Sequence, residues 1–250
     1  MKISKRLTRS FARSTGDMVP DATTWLPRRP RTSHGLATVI CVTMFFGPAK
    51  PLVAQTLGGC VPVSERAGRE FGCFITATEE LGHLVTRPRL YWHLDSFASA
   101  SEAEAAKGPH GTVVQSLGKV WLFTIATAQW RPVTGHREAR IGPLPLLPAD
   151  RYTAVYMEGV FKPGMETVIH RHPGVEAWFT LEGSMCLETP EGTVHQRAGD
   201  PGRMVRGGLP MRLTGTGTGP RRSLVLILHD ADKPYMIAAT DWTPKGLCRK

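Results

Sequence analysis

Two histidines two residues apart, followed four residues later by a glutamate, are the part of this 250-residue chain with the most evident chemistry. They lie in Gly164-Met-Glu-Thr-Val-Ile-His170-Arg-His172-Pro-Gly-Val-Glu176, and Gly183 completes a G-x5-H-x-H-x3-E-x6-G spacing. In an extended strand, residues two apart point the same way, so His170 and His172 project together while Arg171 points away. Pro173-Gly174 has the composition of a type II turn, with Pro setting the first central φ and Gly accepting the positive φ that follows. The spacing therefore predicts that Glu176 returns on a partner strand and faces the two imidazoles across the pair. Two neutral imidazoles and one carboxylate with open positions form a donor set for Fe(II), and Mn, Ni, Zn or Cu can occupy the same ligands. An inward trio of this kind is costly to bury unless an ion, a ligand or a hydrogen-bond network satisfies it.

The run from Gly164 to Gly183 resembles the first conserved motif of the cupin superfamily, small jelly-roll β-barrels that commonly hold one metal. A second cupin motif, roughly G-D-x4-P-x-G-x2-H, supplies a fourth ligand histidine. The corresponding stretch here is Gly199-Asp-Pro-Gly-Arg-Met-Val-Arg-Gly-Gly208-Leu-Pro-Met211, in which Met211 stands where that histidine would be, or Pro210 if no insertion is counted. The resemblance implies an all-β fold, a cupin jelly-roll β-barrel; the stretch ahead of it reads as an N-terminal α+β extension that either adds strands to the barrel sheets or forms a small cap. The resemblance also implies a divalent transition metal held by His170, His172 and Glu176. Met211 reads either as a soft donor suited to copper or, preferably, as packing. Trp178 and Thr180 alternate in register with Glu176 and are expected to line the cavity, Arg206 and Arg212 to meet an anionic substrate, and Glu158 is the candidate general acid or base. Cupins include dioxygenases, isomerases, decarboxylases and sensors, so the resemblance carries no particular reaction.

The elements that must position these residues are short strands. Glu70 to Leu81, Leu90 to Phe97, Tyr152 to Phe161, Thr167 to His172, Val175 to Glu182, Ser184 to Glu188, Met204 to Arg206, Met211 to Thr214 and Ser223 to His229 are rich in β-branched and aromatic residues with Gly and Pro at the breaks. Thr112 to Ser116 and Lys119 to Ala126 read as a hairpin around Leu117-Gly118. Ser99 to Lys107 is Ala- and Glu-rich and reads as a short surface helix capped by its serine and stopped by Gly108-Pro109. The prolines in 137–150 make that stretch a loop or edge strand. The expected organisation is a leader over 1–54, an N-terminal extension over 55–145 and the barrel over 146–245.

A net charge of +10 invites a nucleic-acid reading, yet residues 1–54 hold nine Lys or Arg against Asp17 and Asp21, a net of +7. The remaining 22 basic and 19 acidic residues leave only +3, with no basic stripe, so nucleic-acid binding is not expected. Arg28-Arg29-Pro-Arg31 precedes the uncharged stretch Gly35 to Phe46 and the small residues near Val53-Ala54, which is the order of a secretory signal. The stretch is too short to span a bilayer, so no integral membrane segment is expected after processing, and the mature chain is expected in the periplasm or outside the cell. Leu57-Gly-Gly-Cys60 offers a lipobox as the minority alternative. Loss of Cys41 with the leader leaves Cys60, Cys73, Cys186 and Cys248, an even number in an oxidising compartment. A Cys60–Cys73 bridge is the first choice, and Cys186 alternatively reads as a buried thiol. Function on this reading is an exported protein that binds a divalent metal and a small organic ligand in its barrel, as a metal-dependent oxygenase or isomerase, or else as a non-catalytic module with a degenerate site. The expected partners are the small-molecule ligand and, for assembly, a homodimer.

Overall fold

A computed structural model describes residues 56–84 and 89–248. The expected leader and Cys41 lie outside the described residues. In chain order the strands are β1 Thr56–Leu57, β2 Val61–Pro62, β3 Gly72–Gly82, β4 Leu90–Phe97, β5 Gly111–Ser116, β6 Lys119–Thr127, β7 His136–Ile141, β8 Tyr152–Phe161, β9 Glu166–Thr167, β10 His170–Arg171, β11 Val175–Glu182, β12 Ser184–Thr189, β13 Gly192–Arg197, β14 Arg203–Val205, β15 Arg212–Thr216, β16 Arg221–Asp230 and β17 Ile237–Ala238. One helix, α1 Ala100–Ala106, begins at Ser99, whose side chain accepts from the Glu102 amide as the residue types require.

A six-stranded sheet in the order β14-β11-β16-β8-β3-β2 and a five-stranded sheet in the order β1-β9-β15-β12-β13 form a jelly-roll barrel. Its interior is apolar, with Val155, Met157, Val225 and Ile227 from one sheet meeting Met185, Leu187 and Leu213 from the other. The outer face of the six-stranded sheet is covered in turn. Tyr156, Leu224, Leu226 and Leu228 pack there against Trp92, Trp121 and Phe123 of a second, four-stranded sheet in the order β5-β6-β4-β7. Every residue of β8 is consequently buried, because this strand has a core on each face. Alternation along β8 and β16 thus separates two sets of side chains, one facing the barrel cavity and one facing the outer aromatic layer.

That separation corrects the expectation for Glu158. It faces the outer layer, where it pairs with Arg66, accepts from Ser116 Oγ at 2.6 Å and takes the Leu117 amide at 3.2 Å. Leu117 and Gly118 carry the positive φ values, 50° and 79°, of a tight hairpin turn. The Glu158 carboxylate therefore holds that turn against the barrel and has no access to the cavity. The proline-rich stretch resolves as the edge strand β7 followed by loop, because Pro143, Pro145 and Pro148 cannot donate to a ladder. Thr167 to His172, expected as one strand, is split into β9 and β10, which pair with different partners.

On the far side of the four-stranded sheet His93 is fully buried against Trp130, donates from Nε2 to the Thr127 carbonyl at 2.9 Å, and leaves Nδ1 without a partner. Burial, reinforced by Arg137, pushes its pKa down to about 4. The unfolded chain binds this proton near pH 6.5 and the folded chain does not, so stability is full above about pH 6.5 and falls as pH drops towards 4. Urea midpoints measured from pH 7 to 4 are expected to decline over this window and to decline less in His93→Gln. An unchanged slope in the variant would exclude His93 as the cause.

Candidate functional site

The two histidines and the glutamate come together, but by a different construction from a hairpin. β10, carrying His170, pairs with β17 and bridges Met211, whereas Glu176 sits on β11 between β14 and β16. The trio therefore converges at the mouth of the barrel, from the rim and from one wall. Gly174 also acts otherwise than expected. It does not adopt a positive φ. Instead, a Cβ there would lie 2.0 Å from the Leu228 carbonyl oxygen and 2.6 Å from His229 Cα, so glycine is needed for the close crossing of two backbones. The motif-closing Gly183 does have a positive φ of 68°, and a Cβ there would lie 2.4 Å from the Pro220 oxygen.

His170, His172 and Glu176 are each buried. His170 Nδ1 donates to the Val168 carbonyl at 2.8 Å, and His172 Nδ1 donates to the Tyr235 carbonyl at 2.6 Å. These bonds fix both rings and leave Nε2 as the acceptor nitrogen, the arrangement that outer-shell carbonyls give to ligating histidines. The rings stand 4.9 Å apart, and His172 Nε2 lies 3.7 Å from Glu176 Oε2. Burial pushes His172 down to about 4, and burial with the neighbouring His172 lowers His170, so both imidazoles are neutral at pH 7. Burial raises the Glu176 carboxyl, against the pull of His170 and Arg221.

The donor types, two imidazoles and a carboxylate, suit a divalent metal. Glu176 Oε2 is buried and makes no hydrogen bond, and 3.7 Å is less than twice the roughly 2.0–2.2 Å metal–ligand distance, so one ion can reach both donors. As placed, no group of three or more His, Cys, Asp and Glu side chains among the described residues is ready to hold an ion. Completing the set takes a side-chain adjustment.

The trio opens on a cavity of about 60 Å³, walled mostly by Met157, Phe161, Leu187, Leu213, Val225 and Ile227. Met211 lines it, with its backbone bonded both ways to His170. The other expected contacts lie elsewhere. Trp178 faces the barrel core, and Thr180 is bonded to Gln196 and Ser223; neither lines the cavity. Arg206 is exposed and paired with Glu191, because it follows β14 at the surface. Arg212 points away from Leu213 and the cavity, towards Glu166 and Glu188. Two residues not expected at the site are near it. Arg221 lines the cavity and is 1% exposed. His229, on the same face of β16, is buried with Nε2 unpartnered, and its charge bears on His172. Both share odd-numbered alternation with Val225 and Ile227, the one signal in the sequence that marks them.

Two bridges are formed. Cys60 joins Cys73, and Cys186 joins Cys248 rather than remaining a thiol. Cys60 consequently has no free sulfur for a lipid. The second bridge holds the C-terminal tail, whose Tyr235 and Met236 lie over the site.

No protein-family model and no curated protein matches the chain. Solved structures do. A cupin domain from Bordetella pertussis matches at 24% identity, over 29% of this chain and 78% of that one, with a TM-score of 0.26. A DMSP lyase structure matches at 19% identity over 35% and 44%, with a TM-score of 0.30. L-ribose isomerase from Cellulomonas parahominis matches at 14% over 32% and 51%, with a TM-score of 0.28. The chain thus spans about half the length of the lyase and the isomerase. The strand order and the inward trio within the barrel decide the fold. This chain has an all-β jelly-roll barrel fold. Within the barrel, the site is assembled from the rim strand β10, the wall strands β11 and β16, and the tail.

Proposed function

We propose that this protein is an exported cupin that binds a divalent transition metal through His170, His172 and Glu176 and a small organic ligand in the adjoining cavity. The observation that carries the reading is the convergence of two carbonyl-anchored imidazoles with a buried, unpartnered carboxylate oxygen. The imidazoles and carboxylate would hold the ion, and the apolar walls would keep bulk water from the ligand. A bound metal supplies Lewis-acid polarisation of a ligand oxygen or, if redox-active, access to oxygen chemistry. This chemistry makes an oxygenase or isomerase the enzyme class to test. A competing reading, a barrel that binds its ligand without metal, is favoured by the burial that works against an ionised Glu176 carboxyl. Elemental analysis of protein purified anaerobically without chelator or metal resin separates the two. About one divalent transition metal per chain is expected; absence of metal, with no stabilisation on adding Fe(II), Mn(II), Ni(II), Zn(II) or Cu(II), leaves the metal-free barrel.

The two disulfides support export, because such bonds persist in oxidising compartments. Mass spectrometry of the mature chain is expected to find no free thiol. Cys186–Cys248 spans 62 residues, so breaking it is expected to cost about 4 kcal/mol by chain entropy. Urea unfolding of Cys186→Ser/Cys248→Ser measures this, and a loss below about 1 kcal/mol would mean that the unfolded chain gains little freedom from the cut.

A further inference from the structure

Arg221 begins β16 on the cavity face, and the residue is 1% exposed. Its Nε and Nη2 are buried and make no hydrogen bond. Gly159, on β8 across from Ser223, makes the space for it: a Cβ there would stand 3.1 Å from Arg221 Nη1. The Phe161 ring lies 5.5 Å from the guanidinium carbon and supplies a face for it, but no acceptor. A guanidinium cannot shed its proton at neutral pH, so burial without acceptors is costly. Glu176 is the anionic side chain that acts on it, yet no hydrogen bond joins them. If Glu176 turns to a metal, that charge is drawn away and the arginine is left without a counter-ion.

We propose that Arg221 anchors a small monocarboxylate in the cavity, with the acid's short apolar body against the walls shared with His170, His172 and Glu176. This rests on the reading of the barrel as a small-ligand site and narrows it to short carboxylic acids. The planar fork of arginine matches two carboxylate oxygens. One positive charge among apolar walls suits one negative charge, and about 60 Å³ limits the ligand to a few heavy atoms.

The test titrates the disulfide-intact protein with propionate, propionamide and sulfate by calorimetry, following the Arg221 Nε–H signal by NMR and measuring metal content on the same samples. Propionate is expected to bind and shift that signal, while propionamide and sulfate bind at least tenfold more weakly. Arg221→Gln is expected to weaken propionate roughly 10- to 100-fold, the range of a hydrogen bond to a charged group. Arg221→Lys keeps the charge without the fork and is expected to fall between, which separates lost recognition from a misfolded barrel. Propionate binding unchanged in Arg221→Gln, equal binding of propionamide or sulfate, or no binding of propionate overturns the anchor. Loss of the anchor with metal still bound leaves the metal reading standing, and arginine-dependent propionate binding without metal removes that reading and keeps the anchor.

Discussion

Replacing His172 with Ala is expected to abolish metal binding, and His170→Ala to do the same. Each substitution deletes one of three protein donors. The loss should exceed the roughly 10- to 100-fold that removal of an outer-shell partner alone costs. The His172 carbonyl still accepts from the Gly208 amide at 2.8 Å, so the rim backbone keeps its bond in the variant. Met211 provides the opposite arm of the experiment. It is buried, faces the cavity and is bonded through its backbone to His170. Met211→Leu should leave affinity within about threefold if the thioether only packs, and Met211→His should tighten binding by about tenfold or more by adding an imidazole donor. Competition against a metal-sensitive fluorescent chelator reads all four variants. Wild-type affinity in both alanine variants would remove His170 and His172 from the metal set.

Gly174→Ala is expected to destabilise the protein by about 3 kcal/mol or more. Overpacking between side chains typically costs about 1–3 kcal/mol, and here the new methyl meets backbone, 2.0 Å from the Leu228 oxygen, which cannot turn aside as a side chain can. On the other side, Gly207 already approaches so closely that its own added Cβ would lie 2.9 Å from Gly174. Because Gly174 lies between His172 and Glu176 in the chain, the displacement should also loosen the candidate site. Gly219→Ala is the control: nothing lies within 4 Å of its added Cβ, and a change within about 0.5 kcal/mol is expected. Urea unfolding of both variants checks the contrast. Equal midpoints would mean that the β10–β11 connection yields easily to β16.

Local pattern and local chemistry were readable without coordinates. Leu90 to Phe97, Tyr152 to Phe161 and Val175 to Glu182 are legible as strands to the residue because their β-branched and aromatic runs stop at turn formers. The Ser99 cap and the Leu117-Gly118 hairpin follow from side-chain acceptors and permitted φ values that depend on a few neighbouring residues. The approach of His170, His172 and Glu176 follows from spacing and the cupin resemblance. The route was misread, because a Pro-Gly pair can serve either a positive φ or a close backbone crossing. Only the three-dimensional path of β16 over Gly174 distinguishes them.

The tertiary structure alone decided which polar residues share the cavity. Arg206 and Arg212 are near the second motif in sequence but face the surface and the outer ion pairs, while Arg221 reaches the cavity. Glu158 differs from Met157 by one position on β8, and that position places it in the outer layer with the N-terminal hairpin. The carbonyls that orient the two imidazoles come from Val168, two residues from its histidine, and from Tyr235, 63 residues from the other. Sequence spacing determined that three donors could meet, since it is a property of short extended segments. Which face was the cavity, and which charge was left buried there, depended on how distant strands stack, a property that local spacing does not contain.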